Sequence, residues 1–246
     1  MKTIKFLTVL LLFTGLFTFT SCDEDDPAPP VNTHDDAYAD VILKKVNTPS
    51  GIRYKEVFFA GGIDINATGS TVTTPDGTTY DLAEFWAGPG KVNNMDAPLT
   101  ALKPQGSYTF DLVFSDGYEK TITDEMEDVE IDLPMPFTVD YTVGNNSLTV
   151  SWTAVADADL YCVKITELDM VSTKPIFKKA QIPTSTTSIT INIDGAEGWL
   201  RPTADLVTGV NYWVAVAAKK VETGAAVSGA SPDFQTSACV KTQITY

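Results

Sequence analysis

Three cysteines, one histidine and four tryptophans are the residues of this 246-residue chain best suited to specific chemistry. His34 is the single histidine, and it lies among acids and prolines in "DEDDPAPPVNTHDDAYAD". A serine or cysteine nucleophile needs a base within hydrogen-bond reach. A histidine in an Asp/Pro-rich stretch that cannot build a core supplies no such base to a folded site. One histidine with scattered cysteines makes no tetrahedral zinc site, and the HExxH pattern is absent. In "DINATG", Asp64, Asn66 and Gly69 fall at the first, third and sixth positions of a calcium loop. The twelfth position, which needs a bidentate carboxylate, is Pro75. The segment therefore reads as a hairpin turn. Thirty-two acids in a chain of this length need no catalytic explanation, although carboxylate pairing in space is invisible in sequence. The expectation is a non-enzyme with no cofactor and no metal site.

The tryptophans divide by position. Trp152 alternates with Leu148 and Val150 on one strand face and reads as core. Trp86 in "EFWAGPGKV" and Trp199 in "EGWLRP" sit in loops beside Gly and Pro, and Trp213 points outward by alternation. Trp86, Trp199 and Trp213 are therefore candidate ligand contacts, able to stack on sugar rings or fill a partner's pocket. The competing reading is that the loop tryptophans plug the open ends of a β-structure.

Cys22 marks where an apolar run stops and acids begin. Lys2 and Lys5 precede the run "FLTVLLLFTGLFTFT", which is too short for a comfortable span and reads as an export signal. The residues Phe19-Thr20-Ser21-Cys22 resemble the lipobox of bacterial lipoproteins, with Phe19 in place of the usual Leu. That resemblance implies that residues 1–21 are removed and that Cys22 carries several acyl chains. Two or more chains anchor stably where one is marginal. Residues 22–37 then form an acidic, proline-rich tether. Acids directly after the lipidated cysteine resemble the surface-export signal of Bacteroidetes lipoproteins. The implied location is the outer membrane, facing the medium, with the periplasmic face as the alternative. The membrane partner is reached through the lipid alone.

The remainder reads as an all-β chain of two tandem sandwiches. "ADVILKKV", "YKEVFFAGGIDI", "SYTFDLVF", "SLTVSWTAV", "LYCVKITEL", "TSITINI" and "YWVAVAAKK" are short and rich in β-branched and aromatic residues. Turn signals at Pro75–Gly77, Ser115–Gly117 and Gly144–Asn146 separate them. The alternating segment "DVEIDLPMP" places a boundary at residues 133–136, giving domains over 38–133 and 134–246. In the first, Val129, Ile131 and Leu133 alternate as a last edge strand.

In the second, Trp152 and Tyr161 on successive strands resemble strands B and C of a fibronectin type III domain. Leu206 and Tyr212 in "LVTGVNYWVAV" resemble its tyrosine corner. Under that resemblance Cys162 and Cys239 lie on strands C and G with F between them. Two strand spacings of about 4.8 Å exceed the roughly 7 Å that a disulfide spans. The first half carries an echo of the same corner in Leu102 and Tyr108 and is expected to be immunoglobulin-like, with Tyr108 in its core.

A net charge of −15 disfavours nucleic acid and anionic headgroups as partners. Two functions remain. In one, the protein is a surface binding, adhesion or accessory module recognising an extracellular polymer, either a glycan or a matrix protein. In the other it is a structural spacer or assembly component of an envelope complex, with no small ligand.

Overall fold

The computed structural model describes residues 34–84, 91–94, 97–167, 175–202, 206–227 and 233–246. Among them there is no helix, and fifteen strands form three sheets. The Phe19–Cys22 segment, most of the tether and Trp86 lie outside the described residues.

The N-terminal half begins with β1 (Tyr38–Thr48) and β2 (Gly51–Gly61). It continues through β3 (Ile65–Thr73), β4 (Thr79–Asp81), β5 (Ala83–Glu84), β6 (Lys91–Asn94), β7 (Gly106–Phe114) and β8 (Glu119–Met126). Strands β4-β3-β7-β8 form one sheet, and β1-β2-β6-β5 lie side by side in another. Lettered in chain order, these are C′CFG and ABED, the immunoglobulin arrangement. Val41, Leu43, Phe58, Val72, Tyr108, Phe110 and Phe114 fill the space between them. They alternate with outward residues because successive side chains on a strand point to opposite faces. The β7–β8 hairpin turns at Gly117, whose φ of 86° suits a residue without Cβ.

The C-terminal half holds β9 (Phe137–Asp140), β10 (Ser147–Trp152), β11 (Leu160–Thr166), β12 (Phe177–Pro183), β13 (Ser188–Asn192), β14 (Asn211–Val221) and β15 (Phe234–Thr245). Its sheets are β13-β10-β9 and β12-β11-β14-β15, or EBA and C′CFG, the order that the fibronectin type III resemblance implies. Trp152 is 5% exposed and packs edge-on against Tyr161, at 5.3 Å between ring centres. The Tyr212 hydroxyl accepts the Val207 N–H at 2.9 Å, which is the tyrosine corner. Leu206 is half-buried against the same core.

Three expectations need correction. The Leu102–Tyr108 echo is not a tyrosine corner: Leu102 is 83% exposed, and the Tyr108 hydroxyl donates to the Glu56 carboxylate on β2. Val129–Leu133 form no strand, and Ile131 is buried in the C-terminal core instead of the N-terminal one. The "DINATG" segment is not a hairpin turn. Only Asp64 lies in the turn before β3, and Asn66 to Gly69 form an irregularity where β3 slips against β7.

The two sandwiches share a sheet. Strand β1 pairs in parallel with β15, Leu43 opposite Thr236 through Val46 opposite Cys239, so eight strands run continuously as β12-β11-β14-β15-β1-β2-β6-β5. Each of these two strands would otherwise be an open edge. The Thr236 hydroxyl also donates to the Leu43 carbonyl at 3.1 Å inside the seam. Beside it, the Lys45 ammonium lies 2.5 Å from Glu130 and donates to the Ile131 carbonyl at 3.2 Å, pinning the connection between the halves.

Candidate binding face

The register of the eight-stranded sheet decides which side chains share its outer face. Lys44 opposes Lys55 and Ser237; Lys219 opposes Ser237 and Leu160; Ala217 opposes Cys162 and Cys239; Ala215 opposes Lys164 and Lys241. Partners directly across a ladder point to the same face. With Lys178 opposite Lys164, six lysines of a chain with 17 basic residues therefore gather on one surface of an otherwise acidic protein.

Between them lies a depression of about 130 Å³ that crosses the seam. Its floor is Ile42, Val57, Phe59, Cys162, Ala215, Ala217 and Cys239. The small Ala215 and Ala217 make the hollow. Burial lowers the Lys219 ammonium to about 8, with Lys164 and Lys178 adding to the effect. Burial lowers Lys44 as well, and Lys164, Lys55 and Lys241 push the same way. Burial raises the Cys239 thiol. Cys162 and Cys239 occupy one cross-strand row with Ala217 between them, and both are thiols.

At the edge of this face, where β1 starts and the β14–β15 connection ends, three carboxylates meet. Oxygens of Asp40, Glu222 and Asp233 lie within 4.8 Å of one another, the group among the described residues with geometry to hold a metal ion. Burial first, then Asp233, Asp124 and Glu222, push Asp40 up to about 8. Burial, Asp124 and Asp233 push Glu222 up to about 7. Asp40 Oδ1 and Glu222 Oε1 are buried without a hydrogen-bond partner among the described residues. The folded state thus takes up protons that the unfolded chain, with ordinary carboxyl values, does not. Stability from these groups is present at low pH and is lost as pH rises through about 7 and then about 8. The melting temperature is expected to fall from roughly pH 4, where the unfolded carboxyls ionise, to about pH 8, where Asp40 has ionised in the folded state, and to level off above it. Asp40→Asn should flatten the fall while stabilising by about 1–3 kcal/mol at the alkaline end. Thermal scans across pH check this, and an equally steep fall in the variant would refute it.

The candidate tryptophans separate. Trp213 stands on the outer face of β14, half-buried, with the Lys241 ammonium 4.7 Å from its ring centre. Trp199 is a plug: its ring meets Phe177 at 5.2 Å, and its Nε1–H donates to the Asn192 carbonyl at 3.0 Å. It is partly buried and packs on the C-terminal core. His34 docks on the folded part instead of belonging to a free tether. It stacks on Tyr118 at 4.3 Å, meets Phe114 edge-on, and lies 3.2 Å from Asp116. The lysine face and the carboxylate cluster escaped the sequence reading because both assemble across the β1–β15 seam. Alternation of Ile42 and Lys44 against Val41 and Leu43 was the available local signal.

No family model matches the chain, and no curated protein matches it. Among solved structures, a two-domain fibronectin type III segment from chicken tenascin is similar over 84% of this chain and 98% of that chain, with 16% identity and a TM-score of 0.31. The chicken CNTN1 FN1–FN3 domains are similar over 84% of this chain and 64% of that one, just under two thirds of its length, with 11% identity and a TM-score of 0.29. Both overlaps are partial, and the fold rests on the strand order itself.

Proposed function

We propose that this chain is a non-catalytic binding module, held at a bacterial cell surface by acyl chains on Cys22, that recognises an extracellular polymer through the outer face of the eight-stranded sheet. The observation that carries the reading is the face itself. A lysine-rimmed, apolar-floored surface runs unbroken across two sandwiches, wide enough for an extended ligand and too shallow to enclose a small one. The lipobox-like Phe19–Cys22 run and the acids after it supply the anchor and the tether. A soluble form carrying residues 34–246 is expected to retain a glycan or a matrix protein on an array. Retention of neither would end the reading. Cys22→Ala is expected to move the protein from membrane to soluble fractions, and a variant that stays in the membrane fraction would remove the anchor.

The seam favours a second reading. Two sandwiches fused through β1 and β15 make a stiff unit with no free hinge between the halves, as a spacer in an envelope complex requires. Under that reading the array stays blank while the native protein co-purifies with fixed envelope partners.

A further inference from the structure

The ligand class follows from how the lysines are placed, and this step rests on the binding reading above. We infer that the outer face of the eight-stranded sheet binds an acidic polysaccharide, with Lys44, Lys164 and Lys219 holding its anionic groups and Trp213 stacking on a sugar ring.

Three observations support it. Lys44 on β1, Lys164 on β11 and Lys219 on β14 line the same depression on one face, and among the described residues none is within ion-pair distance of a carboxylate. Lys219 is instead seated over the Phe234 ring, at 3.6 Å from its centre. Clustered ammonium groups repel one another, and an anion brought among them relieves that repulsion in a setting less screened than water. The same strands carry only one acid on this face, Asp40, and it lies at the rim.

The floor chooses between anionic polymers. Ile42, Phe59 and Ala217, each partly exposed, present apolar surface, and Trp213 presents an aromatic one, which suit the C–H faces of sugars. Lys44, Lys164 and Lys219 stand on β1, β11 and β14, each paired on both sides, and the sheet's open edges are β12 and β5, so an acidic peptide lying over these lysines gains none of the main-chain bonds that sheet addition provides. Long nucleic acid, which reaches beyond the face, meets a chain whose net charge, the lysines of the face included, is −15.

The test measures binding of the intact mature protein to polygalacturonate, dextran sulfate, neutral dextran and polyglutamate by calorimetry at low and high salt. Binding to either acidic polysaccharide, weakening with salt and absent for dextran and polyglutamate, is the expected result; the first two polymers separate carboxylate from sulfate recognition. Lys164→Glu and Lys44→Glu should each weaken it by about tenfold or more. Lys164→Gln guards against misfolding and should weaken it less. Trp213→Ala should weaken it without changing the salt slope, and Lys103→Glu, which lies outside the face and removes the ion pair with Asp128, should not. Binding to neutral dextran alone overturns the inference and leaves the binding reading standing. Equal binding to polyglutamate, or acidic-polymer binding indifferent to Lys44 and Lys164, overturns it too. Silence toward every polymer and every arrayed protein overturns both.

Discussion

Trp152→Ala is expected to destabilise the C-terminal sandwich by about 3–5 kcal/mol. The indole sits between the two sheets, sharing the core with Tyr161, Val163, Tyr212 and Val214. Truncation removes its apolar burial and leaves a cavity that rigid strands on both sides cannot close. Its ring nitrogen makes no hydrogen bond among the described residues, so no hydrogen bond is lost with the ring, and Trp152→Phe should recover much of the lost stability. Denaturant melts check the prediction. An unchanged midpoint for Trp152→Ala would mean that the indole is not between the sheets, and the strand order of the C-terminal half would fall with it. Tyr161→Phe is the informative partner. It keeps the ring but leaves the Val155 N–H, now bonded to the hydroxyl at 2.7 Å, without its acceptor.

That core was legible in the sequence because its signals are local. Leu148, Val150 and Trp152 alternate on one strand, Tyr161, Val163 and Ile165 on the next, and Tyr212 with Val214 on a third. Each pattern is complete within a few residues, and the tyrosine corner closes over five. Signals that resemble a local pattern without its contacts misled. Leu102 and Tyr108 have the corner's spacing, but Tyr108 meets Glu56 across the sandwich and Leu102 turns to solvent. Ile131 alternates with acids as an edge strand would, yet that alternation serves a connection pinned by Lys45, whose buried face belongs to the other core. The face and the carboxylate cluster were beyond reach for a stronger reason. Leu43 and Thr236 are 193 positions apart, and parallel pairing between two edge strands leaves no turn, spacing or composition mark in either segment. Without that pairing, Lys44 and Lys219 belong to different domains, and nothing in the chain joins their charges.

A proline at position 44 is expected to split the thermal unfolding of this protein from one transition into two. Lys44 lies mid-strand, with Lys55 of β2 on one side and Ser237 of β15 on the other, so its N–H faces a paired neighbour whichever way it points. Proline removes that donor and brings a ring into a central strand, where it is scarcely tolerated. The orphaned buried partner alone costs about 1–3 kcal/mol, and displacement of β1 adds the exposure of Val41 and Leu43, both fully buried in the N-terminal core. The halves then respond differently. The N-terminal sandwich loses its first strand and melts early. The C-terminal one keeps β12-β11-β14-β15 and the β13-β10-β9 sheet, with only β15 newly exposed as an edge, and melts near its former temperature. Lys44→Thr removes the charge, preserves the N–H and should retain a single transition. Differential scanning calorimetry of the three proteins distinguishes the cases. A single transition at the original temperature in Lys44→Pro would show that β1 and β15 do not couple the sandwiches. The continuous face on which the lysines converge would then lose its structural basis, because six amines on two loosely joined domains do not present one surface to a polymer.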